Sequence, residues 1–355
     1  MMDRGWRLIA LAEGDENCHA LERAGIAVLD VPMDSHGMNP ITDSITFRTF
    51  LHHLRREKVG MFLGFTAKPN IYGGLAARIL RVPRIHNVAG LGLGFSRGRS
   101  LRVLMKTLYR QGLRDAAKVF FQNKDDMELF LANGVVEGRT AERLPGSGVD
   151  LSYFTPANVV ASGAAEGAFR FILSARLLPE KGVREYVEAC RVLQAEGYDI
   201  ECVIMGFLSG ARSKAITHRE LSTWVTEGVV RYEGCTDDVR SALATSDCIV
   251  LPSYYPEGTP RSLLEAAAMS LPIITTDTSG CREAVDDGMT GLLCRPRDVE
   301  GLARCMREMI NMPREARIAM GQRGRAKMQR EFDERIVIDR YLQTVTELLE
   351  AGARC

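Results

Sequence analysis

The sequence predicts an α/β protein built of two doubly wound, Rossmann-like domains, and three observations carry that reading. Apolar strand-like runs alternate with longer helical stretches along the whole chain, the pattern of parallel sheets with helices on both faces. The length of 355 residues exceeds what one compact core usually holds. A stretch rich in Ala, Gly, Ser and Pro, "TPANVVASGAAEGA" at 155–168, interrupts the pattern near its middle and reads as a linker.

In the first half, strands are expected at "WRLIALA", "IAVLDVP", "GMFLGF", "PRIHNV" and "KVFFQN", with helices between several of them. The second half restarts with "FRFILSAR" and a helix "REYVEACRVLQAEG", followed by strands "IECVIMG", "VVRYEG", "CIVLP" and "PIITT". No short-period repeat is present. The domains are therefore placed at 1–155 and 169–332, with the linker at 156–168.

Composition narrows the class. With 46% hydrophobic and 26% charged residues and a net charge of +1, the chain is an ordinary soluble globular protein. No apolar run reaches the roughly 18–20 residues that span a bilayer, and no signal peptide is expected. Nine cysteines are scattered without a C-x-x-C pair, which implies free thiols in a reducing cytoplasm. The six histidines do not cluster with them at ligand spacing, so no metal is expected.

The small net charge hides an asymmetry. Between Ile41 and Arg114 there are fourteen Lys/Arg against Asp43 and Glu57, a local balance of +12. Within it, "SRGRSLRVLMKTLYRQGLR" alternates basic residues with Leu101, Val103, Leu104, Leu108 and Tyr109 near helical spacing. Such a face can lie on an anionic membrane surface, but taken alone it reads first as an ordinary solvated helix packed by its apolar side. Nucleic acid is not expected, because no binding module accompanies the charge. "GLGLGF" at 90–95 has the wrong spacing for a dinucleotide fingerprint and no ribose-binding acid on a following strand.

In open parallel sheets, ligands sit beyond the carboxyl ends of the strands, where helices begin. "CIVLPSYYPEGTPRSLLEAAA" supplies such a place: a strand ending near Pro252, a loop carrying Glu257, then Thr259-Pro260 as N-cap and first helical residue. Amides of Gly258, Thr259 and their successors would face a ligand there. Glu265 falls on the second helical turn among Leu263, Leu264 and Ala266–Ala268, where a carboxylate requires donors, and the vicinal hydroxyls of a ribose are suitable ones. Upstream, "FILSARLLPEKGVREYVEA" sets Arg176 and Lys181 around a strand-to-helix turn, a plausible diphosphate site.

Together these segments resemble the family 4 retaining glycosyltransferases, which have the glycosyltransferase-B fold, two domains facing across a cleft. The segments are "SARLLPEKGVREYVEA", "MGF", "YEGCTDDV" and "SDCIVLPSYYPEGTPRSLLEAAAMSLPIITTDTSGCREAVDDGMTGLL". The first half adds "FTAKPNIYGGLAARI", "NVAGLGLGF", "FFQNKDDMELF" and "LPGSGVDLSYF". They look most like the branch that extends polyprenyl-diphosphate-linked sugars in capsule, O-antigen or related glycan assembly.

The resemblance implies an N-terminal acceptor-binding domain, a C-terminal domain binding a nucleotide-sugar (a UDP-sugar being the expected donor), and a C-terminal helix at about 333–352 packing back on the first domain. It gives Arg176 and Lys181 the donor diphosphate, Glu265 the ribose hydroxyls and Glu257 hydroxyls of the donor sugar. Gly258 and Thr259 would assist through their amides, and Cys235 and Thr236 would lie along the base. Lys68, with Asn70 nearby, would meet the acceptor's diphosphate. Catalysis would need no metal or cofactor, and the departing phosphate oxygen would take the proton of the incoming hydroxyl.

The implied setting is the inner face of the cytoplasmic membrane, with a lipid-linked saccharide as acceptor. Two other readings stand beside it: a sugar-nucleotide epimerase of the same fold, and an inactive nucleotide-sugar-binding or scaffolding subunit. Three departures from the family pattern are visible. Ala89 stands where many relatives carry a histidine, Ser270 replaces the glycine of "EAxAxGxP", and the chain opens at what corresponds to the second strand and helix, so the first strand and helix are expected to be missing.

Overall fold

The computed structural model describes residues 1–14, 18–34, 37, 39–95, 98–156, 167–208 and 215–353. The chain divides into two compact units, Met1–Leu144 with Ile338–Cys355, and Pro145–Val337. Most of the expected linker, 157–166, and Arg97 of the basic stretch lie outside the described residues. The division falls upstream of the linker. Val149 already bridges to Asp333, and Phe154 is buried in a core of the second unit.

The first unit holds β1 (Ile9–Ala12), α1 (Cys18–Arg23), β2 (Ala27–Asp30), α2 (Pro40–Arg56), β3 (Phe62–Phe65), α3 (Gly74–Ile79), β4 (Arg84–Val88), α4 (Arg99–Leu113), β5 (Lys118–Phe121), α5 (Lys124–Ala132) and β6 (Ala141–Arg143). Asn39 and Asn123 cap α2 and α5, their side chains accepting from the amides of Ile41 and Asp126. The strands fall into two parallel sheets, β1-β2 and β3-β4-β5-β6, and no ladder joins the two among the described residues. Five of these strands are the ones read from sequence. β6 is an addition: "AER" has no apolar alternation to mark it.

Val88, Val119, Phe121 and Phe130 are fully buried between the four-stranded sheet and α4 and α5. A π-helical turn, Pro69–Gly73, leads into α3, and it follows Thr66, whose φ of 63° is a left-handed conformation that a β-branched residue rarely adopts.

The second unit holds β7 (Phe169–Ser174), α6 (Val183–Ala195), β8 (Ile200–Met205), α7 (His218–Thr226), β9 (Arg231–Tyr232), α8 (Arg240–Ala244), β10 (Cys248–Leu251), α9 (Arg261–Ala268), β11 (Ile273–Thr276), α10 (Cys281–Ala284), β12 (Gly291–Cys294), α11 (Val299–Asn311) and α12 (Arg314–Lys327). Its six strands are all parallel, in the order β12-β11-β10-β7-β8-β9. Alternation along β7 explains the two layers. Phe171 and Leu173 enter one core with Tyr186, Leu193, Val250 and Met306, while Ile172 enters the other with Leu251, Leu263, Leu264 and Ile273.

The last helix, α13 (Glu334–Ala353), contributes Ile338 onward to the first unit. There Tyr341 packs edge-to-face against Phe120 with ring centroids 4.9 Å apart, and its hydroxyl accepts from Asn87 Nδ2 at 2.7 Å. Arg340 and Lys118 hold the carboxyl of Glu142 down to about 2, against its burial. No helix among the described residues is long and apolar enough to cross a membrane. Of the described cysteines Cys235 is exposed, Cys305 half-buried and the rest buried, all as free thiols.

Candidate active site

The β10–α9 loop is fixed from both sides by backbone contacts that only glycine permits. Gly182, with φ +76°, opens α6 so close to the loop that a Cβ would lie 2.2 Å from the Pro252 carbonyl oxygen. Gly280, with φ +83°, precedes α10, and its Cβ would fall 1.8 Å from the Gly258 oxygen and 2.8 Å from that of Glu257. Glu257 is thus held by packing even though it stands in a turn.

Its carboxylate meets Lys181 Nζ at 2.5 Å through Oε2 and accepts from Ser253 Oγ at 2.9 Å through Oε1. Lys181 is buried, and its ammonium lies 5.7 Å from the centroid of the Tyr255 ring. The structure therefore brings together two of the expected residues, and adds Ser253, Tyr255 and Gly280, which the sequence reading left unremarked. Thr259 is not the helix cap. The cap residue is Pro260, in an extended conformation, and Thr259 is buried one residue before it.

Arg176 is exposed just beyond β7, and its guanidinium makes no hydrogen bond or ion pair among the described residues. Glu265 retains 18% side-chain exposure, with Arg261 Nε one helical turn away at 3.5 Å. Burial raises its carboxyl pKa, and the Arg261 charge opposes that shift. Its neighbours Leu263, Leu264 and Ala266–Ala268 are fully buried, so Glu265 stands at the edge of the apolar helix face. Cys235 and Thr236 occupy the exposed turn after β9, where Thr236 Oγ1 accepts from the Asp238 amide at 3.2 Å.

In the first unit, Lys68 Nζ pairs with Asp43 Oδ1 at 2.7 Å, and Tyr72 donates its hydroxyl to Asp43 Oδ2 at 2.8 Å. Asn70 requires a correction. It is fully buried, donating Nδ2 to the Asn87 carbonyl at 2.7 Å and presenting Oδ1 to His86 Nδ1 at 3.1 Å. Both ends of the amide are engaged inside the fold, so Asn70 positions β4 and cannot reach an acceptor. His86 is likewise buried, which holds its imidazole down to about 3 and therefore neutral, with Nε2 unpartnered.

Residues 155–327 match the family model of the glycosyl transferases group 1, and residues 1–141 match that of the glycosyl transferase 4-like domain. Over 99% of its length the chain is 25% identical to the N,N'-diacetylbacillosaminyl-diphospho-undecaprenol alpha-1,3-N-acetylgalactosaminyltransferase of Campylobacter jejuni, covering 93% of that protein. It is 23% identical, over 78% of this chain and 73% of the other, to the UDP-Gal:alpha-D-GlcNAc-diphosphoundecaprenol alpha-1,3-galactosyltransferase of Escherichia coli. Among solved structures it superposes on a glycosyltransferase of Rickettsia africae with a TM-score of 0.79, at 18% identity, covering 98% of this chain and 92% of that one. On Anabaena HepE in complex with UDP-glucose the TM-score is 0.78 at 18% identity, covering 96% and 91%.

The class these likenesses define is that of two-domain glycosyltransferase-B folds. Within it, the chain belongs to the group 1 glycosyltransferases and carries a family 4-like first domain.

Proposed function

We propose that this enzyme is a retaining transferase moving a sugar from a UDP-linked donor onto a saccharide carried by a polyprenyl diphosphate. The observation that carries the reading is the Lys181–Glu257–Ser253 cluster at the carboxyl edge of the second sheet, with unpaired Arg176 at the exit of β7. Two cations at this edge suit a leaving diphosphate, and a carboxylate locked beside them suits sugar hydroxyls. The names of the two polyprenol-specific relatives, and the UDP-glucose held by HepE, support the substrate classes.

In this reading Lys181 transfers its charge from Glu257 to the diphosphate as the donor enters. Glu257, released on one side, orients the sugar. Arg176 completes the neutralisation of the leaving group, and Glu265 takes the ribose hydroxyls. The leaving oxygen receives the acceptor's proton on the face from which it departs, so the protein's task is positioning and charge. Lys68 meets the acceptor diphosphate after parting from Asp43.

Membrane attachment at the cytoplasmic face belongs to the same proposal, and α4 narrows its basis. Arg102 donates to the Phe95 carbonyl, Lys106 to Asn133 Oδ1, and Arg110 to the carbonyls of Asn133 and Gly134. Arg99, Val103 and Leu104 are left facing outward, the last two 58% and 47% exposed. A cation beside two adjacent apolar side chains suits an anionic interface.

The test is an assay of UDP-, GDP- and ADP-linked sugars with a polyprenyl-diphosphate saccharide, with and without anionic vesicles. The expected result is a lipid-linked product of retained anomeric configuration from a UDP-sugar. UDP binding without turnover, or release of an isomerised sugar with no lipid product, would overturn the transferase reading. Equal vesicle sedimentation of wild type and an Arg99→Glu/Val103→Ser/Leu104→Ser variant would remove its membrane part.

A further inference from the structure

The exits of β7 and β8 in the second unit stay in register beyond their last formal residues, with the turn after β9 alongside. β7 and β8 pair with Ser174 opposite Met205, and the bridge between Leu177 and Leu208 has the same offset, which sets Arg176 opposite Phe207. β8 and β9 pair with Ile204 opposite Tyr232, and beyond that pair Gly206 N donates to the Gly234 carbonyl at 2.7 Å, one residue further along than the same offset would give, so the ladder slips there and brings the turn at Gly234 and Cys235 beside Gly206. Register partners present their side chains to the same face at about 4.8 Å per strand. Arg176 and Phe207 thus share one face, and both are exposed, as is Cys235 in the neighbouring turn.

The opposite face behaves differently: Leu177 is fully buried, and Leu208 packs against the same core. Phe207 is 50% exposed and cannot turn inward. Its backbone is pinned by the Leu177 amide on its carbonyl at 3.0 Å. At Gly206 before it, φ is +137° and a Cβ would lie 1.8 Å from the Ala175 oxygen, while Tyr232 donates to the Gly206 carbonyl at 2.8 Å. A single exposed aromatic is unremarkable on a surface. One fixed at the carboxyl edge of a parallel sheet, between a free guanidinium and an open turn, is placed for a ligand.

We propose that Phe207 is the face on which the donor's nucleobase stacks, with Arg176 taking the adjoining diphosphate on one side and the Cys235 turn bordering the base edge on the other. This rests on the donor-site assignment above. A π-face accepts any base, so Phe207 supplies affinity for the nucleoside as a class, and the backbone of the Cys235 turn is left to select among bases.

Calorimetry of UDP and of inorganic pyrophosphate against wild type, Phe207→Ala, Phe207→Tyr and Arg176→Ala tests it. Phe207→Ala is expected to weaken UDP about tenfold, the lower range for loss of one base stack, while leaving pyrophosphate unaffected. Phe207→Tyr should restore UDP binding, and all variants should melt like wild type because both positions are exposed. Unchanged UDP affinity in Phe207→Ala, or an equal loss for pyrophosphate, overturns the stacking role. If UDP binds wild type and Arg176→Ala alike, the donor-site reading falls. If wild type binds no nucleotide, both fall together.

Discussion

Lys181 and Glu257 are 76 positions apart in sequence and 2.5 Å apart in space. Each was picked out as a candidate from its own motif, yet their pairing was not legible, because only the β7–α6 turn and the β10–α9 loop together create it. Lys181→Ala is expected to lower kcat/KM by roughly 10²–10³, the scale for losing one preorganised charge, and to lower the melting temperature by removing the lysine from a half-buried ion pair. Arg176→Ala should lose a similar factor in rate with no change in melting, since its side chain is exposed and unpaired. Near-normal rates in both would remove the diphosphate assignment.

His86 makes a different statement at the same scale. Burial depresses its folded pKa to about 3 from 6.5, so its neutral form is favoured by folding. That contribution is complete above pH 6.5 and is lost progressively as pH falls from 6.5 towards 3. The stability gap between wild type and His86→Gln should therefore narrow across that window. Chemical denaturation at pH 7.5, 6, 5 and 4 measures it, and a gap independent of pH would show that the imidazole contributes packing alone.

At the scale of elements, Ser270 shows how a sequence departure becomes a backbone cost. It closes α9 with φ 61°, the left-handed conformation natural to glycine. Ser270→Gly should stabilise the protein by about 1 kcal/mol, a rise in melting temperature of roughly 2–4 °C for a unit of this size. An unchanged or lower melting temperature would mean the serine side chain compensates its strain. The long apolar strands were readable because a parallel sheet buries both faces and leaves continuous Val/Ile/Leu/Phe runs. β6, "AER", has no apolar alternation to mark it, and β12, "GLLC", also went unread. α4 was readable as amphipathic, but not the hydrogen bonds that tie Arg102, Lys106 and Arg110 to neighbouring segments, which depend on oxygens those segments present.

For the whole molecule, the sequence conveyed two α/β units and the chemistry of the second unit's strand exits more fully than the first unit's interior. The reason is physical: most of the residues proposed to hold the donor lie within two contiguous strand–turn–helix segments. Asn70 could be mistaken for a ligand contact because its burial depends on His86 and Asn87, on a strand with its own motif. The Lys181–Glu257 pair has one more consequence, for life in a crowded solution. A site whose lysine is already matched by its own carboxylate exerts little pull on the free phosphate and small acids that abound around it. Phosphate alone would win the lysine only by taking it from Glu257. A sugar diphosphate satisfies both, bringing an anion for one and hydroxyls for the other, so the empty enzyme stays available amid anions far more plentiful than its substrate.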